Sequence, residues 1–186
     1  GEGGRLVDDG RFCTKTGRAQ FVDTRPVMTL RSLCADYPLA LSTGRMRDQW
    51  HTMTRTGNTH RLLEHTSQPF VAINPATAND LGMQPGDLVH LNTAQGSMQA
   101  IVSIDAGMQP TDIFVPIHWN DQFASRARVG ALVATITDPL SGQPEFKFTP
   151  ANLVKVEVPC WAIIASRTRL DCGDFLHWSL VLLNNE

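Results

Sequence analysis

A proline interrupts an apolar stretch of this chain, at Pro116 between Val115 and Ile117. Because proline cannot donate a backbone hydrogen bond to a neighbouring strand, it is confined to edge strands, strand ends and bulges. The other apolar stretches are also short and are separated by glycine and proline turns. This pattern favours a small barrel with interrupted edges over a parallel sheet, and it predicts a mainly β fold with a few short helices.

Local signals place a short helix and a tight turn in the middle of the chain. Asn74 and Pro75 are typical of the residue before a helix and of its first position, and Gly82 is typical of the residue after its end. Pro85 and Gly86 then suit the two central positions of a type II turn. The sequence therefore predicts a helix of about two turns followed by a reversal of the chain.

Two strands are predicted after this turn, at 88–93 and 98–104. In the second, apolar residues alternate with polar ones such as Gln99, which is the period of a half-buried strand. The sequence at 82–88 also recurs at 107–113, with five of its first six residues unchanged. One such echo is too few for a repeat array. It predicts one kind of turn used twice to begin a strand.

The segment 43–57 is poorly composed for a core and well composed for binding an anion. Glycine lets a backbone approach a ligand closely, and an arginine guanidinium matches two oxygens of a phosphate at once. Residues 43–65 carry four arginines against Asp48 and Glu64, a local charge of +2 in a chain whose formal charge is −2. From the residues alone, two interpretations stay open: a phosphate-binding loop, or a solvated loop whose arginines make weak surface ion pairs.

The order of the residues resembles a known family. Thr-Gly-Arg at 43–45, Gln-Trp-His-Thr at 49–52 and Met-Thr-Arg at 53–55 are similar to the cofactor-binding segment of molybdopterin oxidoreductases of the dimethyl sulfoxide reductase type, above all the assimilatory nitrate reductases. The resemblance continues in the same order along the chain. Its other parts are 11–21, 69–89, 115–119 and 137–147.

This resemblance implies the fold and the residues of the site. The implied fold is a double-psi β-barrel of the aspartate decarboxylase-like kind, whose pseudo-twofold character the echo would fit. At the place of Gly130 many relatives carry an asparagine that binds the cofactor, so only backbone groups could serve here. The predicted cofactor-binding residues are Thr43, Gly44, Arg45, Met46, Arg47, Asp48, Gln49, Trp50, His51, Thr52, His118, Gly130 and Lys147.

The implied activity belongs to a larger enzyme. The cofactor would be molybdenum-bis(molybdopterin guanine dinucleotide), and the full-length enzyme would also hold a 4Fe-4S cluster, outside this chain. The implied partners are the remaining domains of the same polypeptide, an electron donor protein or domain, and nitrate, which is reduced to nitrite in nitrate assimilation. The chain is predicted to be the inactive carboxy-terminal part, with a linker and lead-in at 1–36, the barrel domain at 37–158 and an extension at 159–186.

Other kinds of function receive less support from the residues. The spacings of His51, His60 and His65 predict no metal site, the cysteines lack a C-x-x-C pair, and no residue is predicted to be catalytic. The packing of His118 with Trp119 at a barrel mouth remains as good an interpretation as ligand binding. No nucleic-acid or membrane partner is expected, and the predicted setting is cytoplasmic.

Three alternatives stay open: a domain of a formate dehydrogenase-like molybdopterin enzyme, a free-standing nucleotide-binding barrel, and an interaction module. The residues between 159 and 183 have the apolar character that an interaction module would expose, and they could instead pack on the barrel or begin a further segment.

Overall fold

A computed structural model describes residues 4, 7–23, 29–139, 141–168 and 179 of the chain. The chain divides into two compact units, 1–30 and 31–186. In the described part of the first unit the backbone forms turns, one of them closed by a bond from the Phe12 amide to the Gly17 carbonyl at 2.9 Å. The predicted domain boundaries at 36 and 158 stay predictions.

The second unit contains a closed six-stranded barrel with short helices. The strands hydrogen-bond in the order β1-β5-β2-β4-β3-β6, and β6 closes the barrel on β1. This confirms the predicted mainly β barrel. The strands are β1 (Leu39–Gly44), β2 (Phe70–Ile73), β3 (Leu88–Thr93), β4 (Ser97–Ile104), β5 (Asp112–Pro116) and β6 (Thr149–Lys155), and the α-helices are α1 (His60–Leu63) and α2 (Pro75–Asp80).

The pairing of the strands has an internal symmetry. β1 is parallel to β5 and β2 is parallel to β4, whereas the other neighbours are antiparallel. Exchanging β1 with β4, β2 with β5 and β3 with β6 leaves this pattern unchanged. The two halves of the barrel therefore follow each other along the chain. The double-psi crossover stays a prediction, which this symmetry favours.

The local signals of the helix and turn are confirmed. The side chain of Asn74 caps α2 by accepting a hydrogen bond from the Ala76 amide at 2.7 Å, and Pro75 is the first helical residue. Gly82 and Gly86 have φ of +62° and +89°, the left-handed conformation that glycine adopts without strain. These residues fold as predicted because each signal acts within a few positions.

The echoed turns each precede a strand, as predicted. The turn at 82–88 leads into β3, and its echo at 107–113 leads into β5. Because β3 and β5 do not exchange in the symmetry of the pairing pattern, the echo does not mark its two halves. The prediction that the echo fits a pseudo-twofold repeat is therefore wrong.

Two clusters of apolar side chains are buried. The barrel interior is filled from all six strands, and Leu41, Val71 and Leu91 are among its fully buried residues. A second cluster lies among the loops, with the partly buried Met46 packed against it. Its buried members are Met53, Leu63, Trp119, Phe123, Ala124 and Ala127.

One residue departs from the alternation predicted for β4. Gln99 occupies a polar position of the strand, yet it is 0% exposed. Its backbone amide donates to the carbonyl of Arg126 at 2.8 Å, so a segment outside the sheet covers this face. The prediction of a half-buried strand is wrong at this residue because tertiary packing covered its polar face.

The described part of the carboxy-terminal extension exposes apolar side chains. Trp161 and Ile163 are 82% and 87% exposed. Residues 169–183 of the predicted apolar stretch lie outside the described residues except Ser179, which forms an isolated β-bridge with Ala124. Within the described part of the chain, no helix has the length and apolar character needed to cross a membrane.

Candidate functional site

The segment predicted to bind the cofactor begins inside β1 and leaves the barrel at Gly44. Thr43 is buried, and its hydroxyl donates to the Phe146 carbonyl at 2.9 Å, which also accepts from the Thr43 amide at 3.2 Å. The Thr43 carbonyl in turn accepts from Nζ of Lys147. The amide, hydroxyl and carbonyl of Thr43 are therefore all hydrogen-bonded, and they hold the segment beside Lys147.

Close packing favours glycine at Gly44, where the segment leaves the barrel. A Cβ built on Gly44 would lie 2.8 Å from Cε2 of Phe114, closer than real Cβ contacts. The Gly44 carbonyl accepts from the Ile117 amide at 2.9 Å, which extends the β1–β5 pairing by one bond. The absence of a side chain at Gly44 thus lets the segment leave the barrel close to the Phe114 ring.

A buried histidine joins the two ends of the loop that follows. His118 is 0% exposed, and its Nε2 accepts from the Met46 amide at 2.8 Å. Its Nδ1 lies 2.5 Å from the His51 carbonyl. Because a carbonyl can only accept, the proton sits on Nδ1, and Nε2 is free to accept from Met46. The imidazole therefore clamps residues 46–51 into a loop.

The clamp requires an uncharged imidazole. Burial is the main cause that lowers the pKa of His118 below its ordinary value of 6.5; the nearby Arg45 charge acts in the same direction, and the His51 carbonyl opposes it. Protonation would place a second proton on Nε2, where the Met46 amide already donates. Both the hydrogen-bond geometry and the pKa thus favour neutral His118 near pH 7.

Further bonds hold the loop in a strained conformation. Asn120 donates from its side-chain amide to the Thr52 carbonyl at 3.2 Å. His51 and Met53 have φ of +44° and +60°, a region that residues other than glycine rarely occupy. Such strain persists only where the surroundings fix the backbone, and it is enriched at binding sites.

The side chains of the loop separate into an inner and an outer set. Gln49 belongs to the inner set: it is buried, donates to the Leu62 carbonyl at 2.8 Å and accepts from the Thr56 hydroxyl at 2.7 Å. In the outer set, the guanidinium of Arg45 lies 5.0 Å from the centre of the Trp50 ring, which is 51% exposed. This is a cation–π contact with a free ring surface beside it.

Arg47 and Asp48 neutralise each other. Nε and Nη2 of Arg47 donate to the two oxygens of Asp48 at 3.0 and 3.1 Å, and Nδ1 of His65 lies 2.7 Å from Oδ2 of Asp48. The bond from Arg47 lowers the pKa of the Asp48 carboxyl, with a further contribution from His65. Unlike the charge of the Arg45 guanidinium, that of Arg47 is offset by a carboxylate, so Arg47 attracts a phosphate less strongly.

Residues 39–150 match a protein family described as "Molydopterin dinucleotide binding domain". The matched region covers more than half of the chain and runs from the first residue of β1 into β6. The chain belongs to this family. The predicted family is thereby confirmed, and the chain is a domain that binds a molybdopterin dinucleotide.

Relatives of this dinucleotide-binding domain are much longer proteins. A nitrate reductase of Klebsiella oxytoca is 42% identical over 165 residues, which cover 88% of this chain and 19% of that protein. The alpha subunit of an F420-dependent formate dehydrogenase of Methanocaldococcus jannaschii is 30% identical over 156 residues, covering 83% of this chain and 22% of the relative. This chain therefore spans about a fifth of the length of these curated relatives.

A solved structure supports the fold of the domain. Acetylene hydratase from Pelobacter acetylenicus superposes with a TM-score of 0.56 at 18% sequence identity. The superposition covers 64% of this chain and 18% of that protein. At this identity the likeness supports the barrel fold and nothing finer.

The structure brings most of the predicted residues of the dinucleotide-binding domain together around the end of β1. Gly130 is the one that no described hydrogen bond or packing contact links to the loop. It is exposed in a 3-10 helix at Val129–Ala131, and a Cβ built on it would meet nothing within 4 Å. An asparagine would therefore find room at this position.

Sequence reasoning missed several residues that position the loop. Asn120 and Thr56 bond to it directly, and the Phe146 carbonyl fixes its first residue. Asn120 is close to the predicted His118, but nothing in its local sequence indicates a bond to a residue 68 positions away. Contacts at such separations follow from the closure of the barrel.

Proposed function

We propose that this chain is the molybdopterin guanine dinucleotide-binding domain of a larger molybdenum nitrate reductase that reduces nitrate to nitrite. The nitrate reductase relative is the more similar of the two described above, at 42% identity against 30% for the formate dehydrogenase. Because the chain spans about a fifth of either relative, the substrate pocket would lie largely in other domains. In this proposal the chain by itself does not catalyse the reaction.

The observation that carries the proposal is the free cationic and aromatic surface on a loop whose backbone is fixed from several sides. Arg45 is exposed and stacked on Trp50. Lys147 uses one of its three N–H donors on the Thr43 carbonyl, so two remain for an anion. A dinucleotide carries a diphosphate and flat ring systems, and these groups fit such donors and such an aromatic face.

The residues would then have two kinds of role. The residues that would contact the cofactor through their exposed groups are Arg45, Trp50, His51, Thr52 and Lys147, together with backbone groups of Gly44 and Gly130. Arg47 would join them through the N–H groups that Asp48 does not use. The bound cofactor supplies the two-electron chemistry, and this chain binds and orients it. The residues that would position the loop rather than touch the cofactor are Thr43, Met46, Asp48, Gln49 and His118.

The finer parts of the proposal extend beyond this chain. They are a pair of molybdopterin guanine dinucleotides on one molybdenum, a 4Fe-4S cluster and an electron donor elsewhere in the enzyme, and a cytoplasmic role in nitrate assimilation. The ordered resemblance along residues 11–147 supports them. Metal and iron analysis of the purified enzyme, together with cell fractionation, tests these points.

The decisive experiment replaces Arg45 by alanine in the larger enzyme. Loss of a charge-assisted contact is worth about 1.5 to 3 kcal/mol, so retention of the cofactor should fall about 10-fold or more. Molybdenum content, released guanine nucleotide and nitrate reduction should fall together. Arg61→Ala is the matched control, because Arg61 is an exposed arginine of α1. Unchanged molybdenum in Arg45→Ala would contradict the assignment.

A formate dehydrogenase-like enzyme is the second candidate, favoured by the relative that is 30% identical over 83% of this chain. The two candidates share the role of this domain and differ in the substrate. Assaying the same purified enzyme with nitrate plus an electron donor, and with formate plus an electron acceptor, separates them. Turnover of formate without nitrate would reject the nitrate assignment and leave the role of the domain intact.

A further inference from the structure

A cavity of about 290 Å³ lies outside the barrel, on the face of β3 and β4. The residues that line it are His90, Gln99, Asp121, Arg126, Arg128 and Ala131, with parts of Ser97 and Met98. None of them belongs to the segment 43–52, and neither His118 nor Lys147 is among them. The cavity is therefore lined by residues other than the proposed cofactor contacts, although Arg128 and Ala131 flank one of those contacts, Gly130.

The wall of the cavity includes a buried amide without a partner. Gln99 is 0% exposed, and neither Nε2 nor Oε1 of its side chain has a hydrogen-bond partner among the residues that the structure describes. A buried polar group left unpaired costs about 1 to 3 kcal/mol, so native proteins rarely keep one without a use. The amide is therefore available to a ligand or to an ordered water in the cavity.

The charged groups of the cavity leave one cation free. Nε of Arg128 is paired with the Asp121 carboxylate at 3.0 Å, so these charges offset each other. Arg126 is exposed, and its guanidinium has no ion-pair partner within the described part of the chain. The cavity therefore offers an unpaired positive charge beside an unpaired amide.

The walls of the cavity are held in place by the barrel. The backbone amide of Gln99 donates to the Arg126 carbonyl at 2.8 Å, and Arg126 has φ of +49°. A Cβ built on Gly96 would lie 2.8 Å from the Ala131 carbonyl oxygen, so the backbone of the β3–β4 turn packs closely against the backbone of Ala131. Strain at Arg126 that is held by backbone contacts is typical of a prebuilt binding site.

We propose that this cavity binds a small oxyanion or carboxylate, held by the guanidinium of Arg126 and the side-chain amide of Gln99. Its volume of about 290 Å³ has room for a small ion and lies at the lower end of the range of about 300 to 1,000 Å³ for pockets that hold larger organic ligands. Arginine supplies the charge and the planar donors that such anions prefer, and Gln99 supplies a further N–H when its buried side chain turns toward the bound ion.

Nuclear magnetic resonance on the isotope-labelled chain tests this proposal. Sodium acetate, sodium nitrate and inorganic phosphate are titrated separately, with chloride keeping the ionic strength constant. At least one probe should produce a saturable change at the Gln99 side-chain amide and at Nε of Arg126. Arg126→Gln should weaken that binding about 10-fold or more. Arg61→Gln, the matched control outside the cavity, should leave it unchanged.

A second variant tests the unpaired amide separately. Gln99→Leu should raise the unfolding temperature of the free chain and abolish the saturable response, because it removes both the unpaired group and its contact with the anion. Changes that grow linearly with salt, or equal losses in Arg126→Gln and Arg61→Gln, would overturn the proposal. So would full binding by Gln99→Leu. Arg45→Ala should bind the anion normally, so failure here and failure of the cofactor assignment are distinguishable.

Discussion

The barrel interior and the loop around His118 are held together by different forces. Inside the barrel, residues such as Leu41 and Val71 are fully buried and pack on one another between hydrogen-bonded strands. In the loop at 43–52, order comes from side chains that bond to distant backbone groups, as His118 does to Met46 and His51. The comparison predicts that changes in the barrel alter global stability, whereas changes in the loop alter local order and ligand binding.

The largest effect is expected in the barrel. Leu41→Ala should lower the free energy of unfolding by about 2 to 5 kcal/mol, because a fully buried leucine leaves a cavity behind. Val154→Ala is the control on β6, since Val154 is 52% exposed, and it should change stability by about 0.5 kcal/mol or less. Urea unfolding followed by circular dichroism measures both. Similar losses in the two variants would contradict the packed interior described above.

The next effect lies at the histidine clamp. His118→Phe keeps the ring but leaves the Met46 amide and the His51 carbonyl without their partner, which should cost roughly 2 to 4 kcal/mol. Proteolysis should also become faster within 46–52. His60→Phe, at the start of α1, is the control. If His118→Phe unfolds like the parent chain and resists protease equally, His118 does not clamp the loop.

The same histidine predicts a pH dependence. Since folding lowers the pKa of His118, the unfolded chain binds more protons between the folded pKa and the ordinary value of 6.5. Its contribution to stability is therefore complete above about pH 6.5 and declines as the pH falls through the folded pKa. Unfolding curves between pH 5 and 8 should show this decline in the parent chain and lack it in His118→Phe. An identical pH profile in both chains would assign the dependence to other groups.

Two glycines in corresponding positions of two 3-10 helices give a further test of the comparison, with a smaller expected loss of stability. Gly57 and Gly130 are each the middle residue of a three-residue 3-10 helix. A Cβ on Gly57 would lie 2.5 Å from Cζ of Phe123, whereas one on Gly130 would meet nothing. Gly57→Ala should therefore lose about 1 to 3 kcal/mol by overpacking the second cluster, and Gly130→Ala should not. Equal thermal unfolding of the two variants would show that the Phe123 ring yields freely.

The smallest effect on stability is expected at the exposed ion pair. Asp48→Asn removes the carboxylate that holds Arg47, so the unfolding temperature should change little while Arg47 becomes available to an anion. Calorimetry should then detect tighter binding of guanosine diphosphate. Asp80→Asn, at the exposed end of α2, is the control. Weaker binding by Asp48→Asn would instead make the carboxylate part of the binding surface.

Local elements could be predicted from the sequence because their causes lie within a few residues. Asn74 and Pro75 define the start of α2, and the strand at 88–93 has the predicted bounds. The prediction was wrong at Gln99, whose burial depends on the segment that carries Arg126. The family was also predictable, because the residue types at 43–52 and their order resemble it.

The sequence by itself determined the short strands, the helix α2, the mainly β class and the cationic loop, because each depends on local preference or on residue order. Only the tertiary structure decided which side chains of that loop face inward. Thr43 meets Phe146 across 103 residues, and Met46 meets His118 across 72. Such pairs form when the closing barrel brings separate strand ends together. Thr43 and His118 are buried there, and their polar groups hydrogen-bond to backbone groups. Arg45 and Trp50 stay exposed.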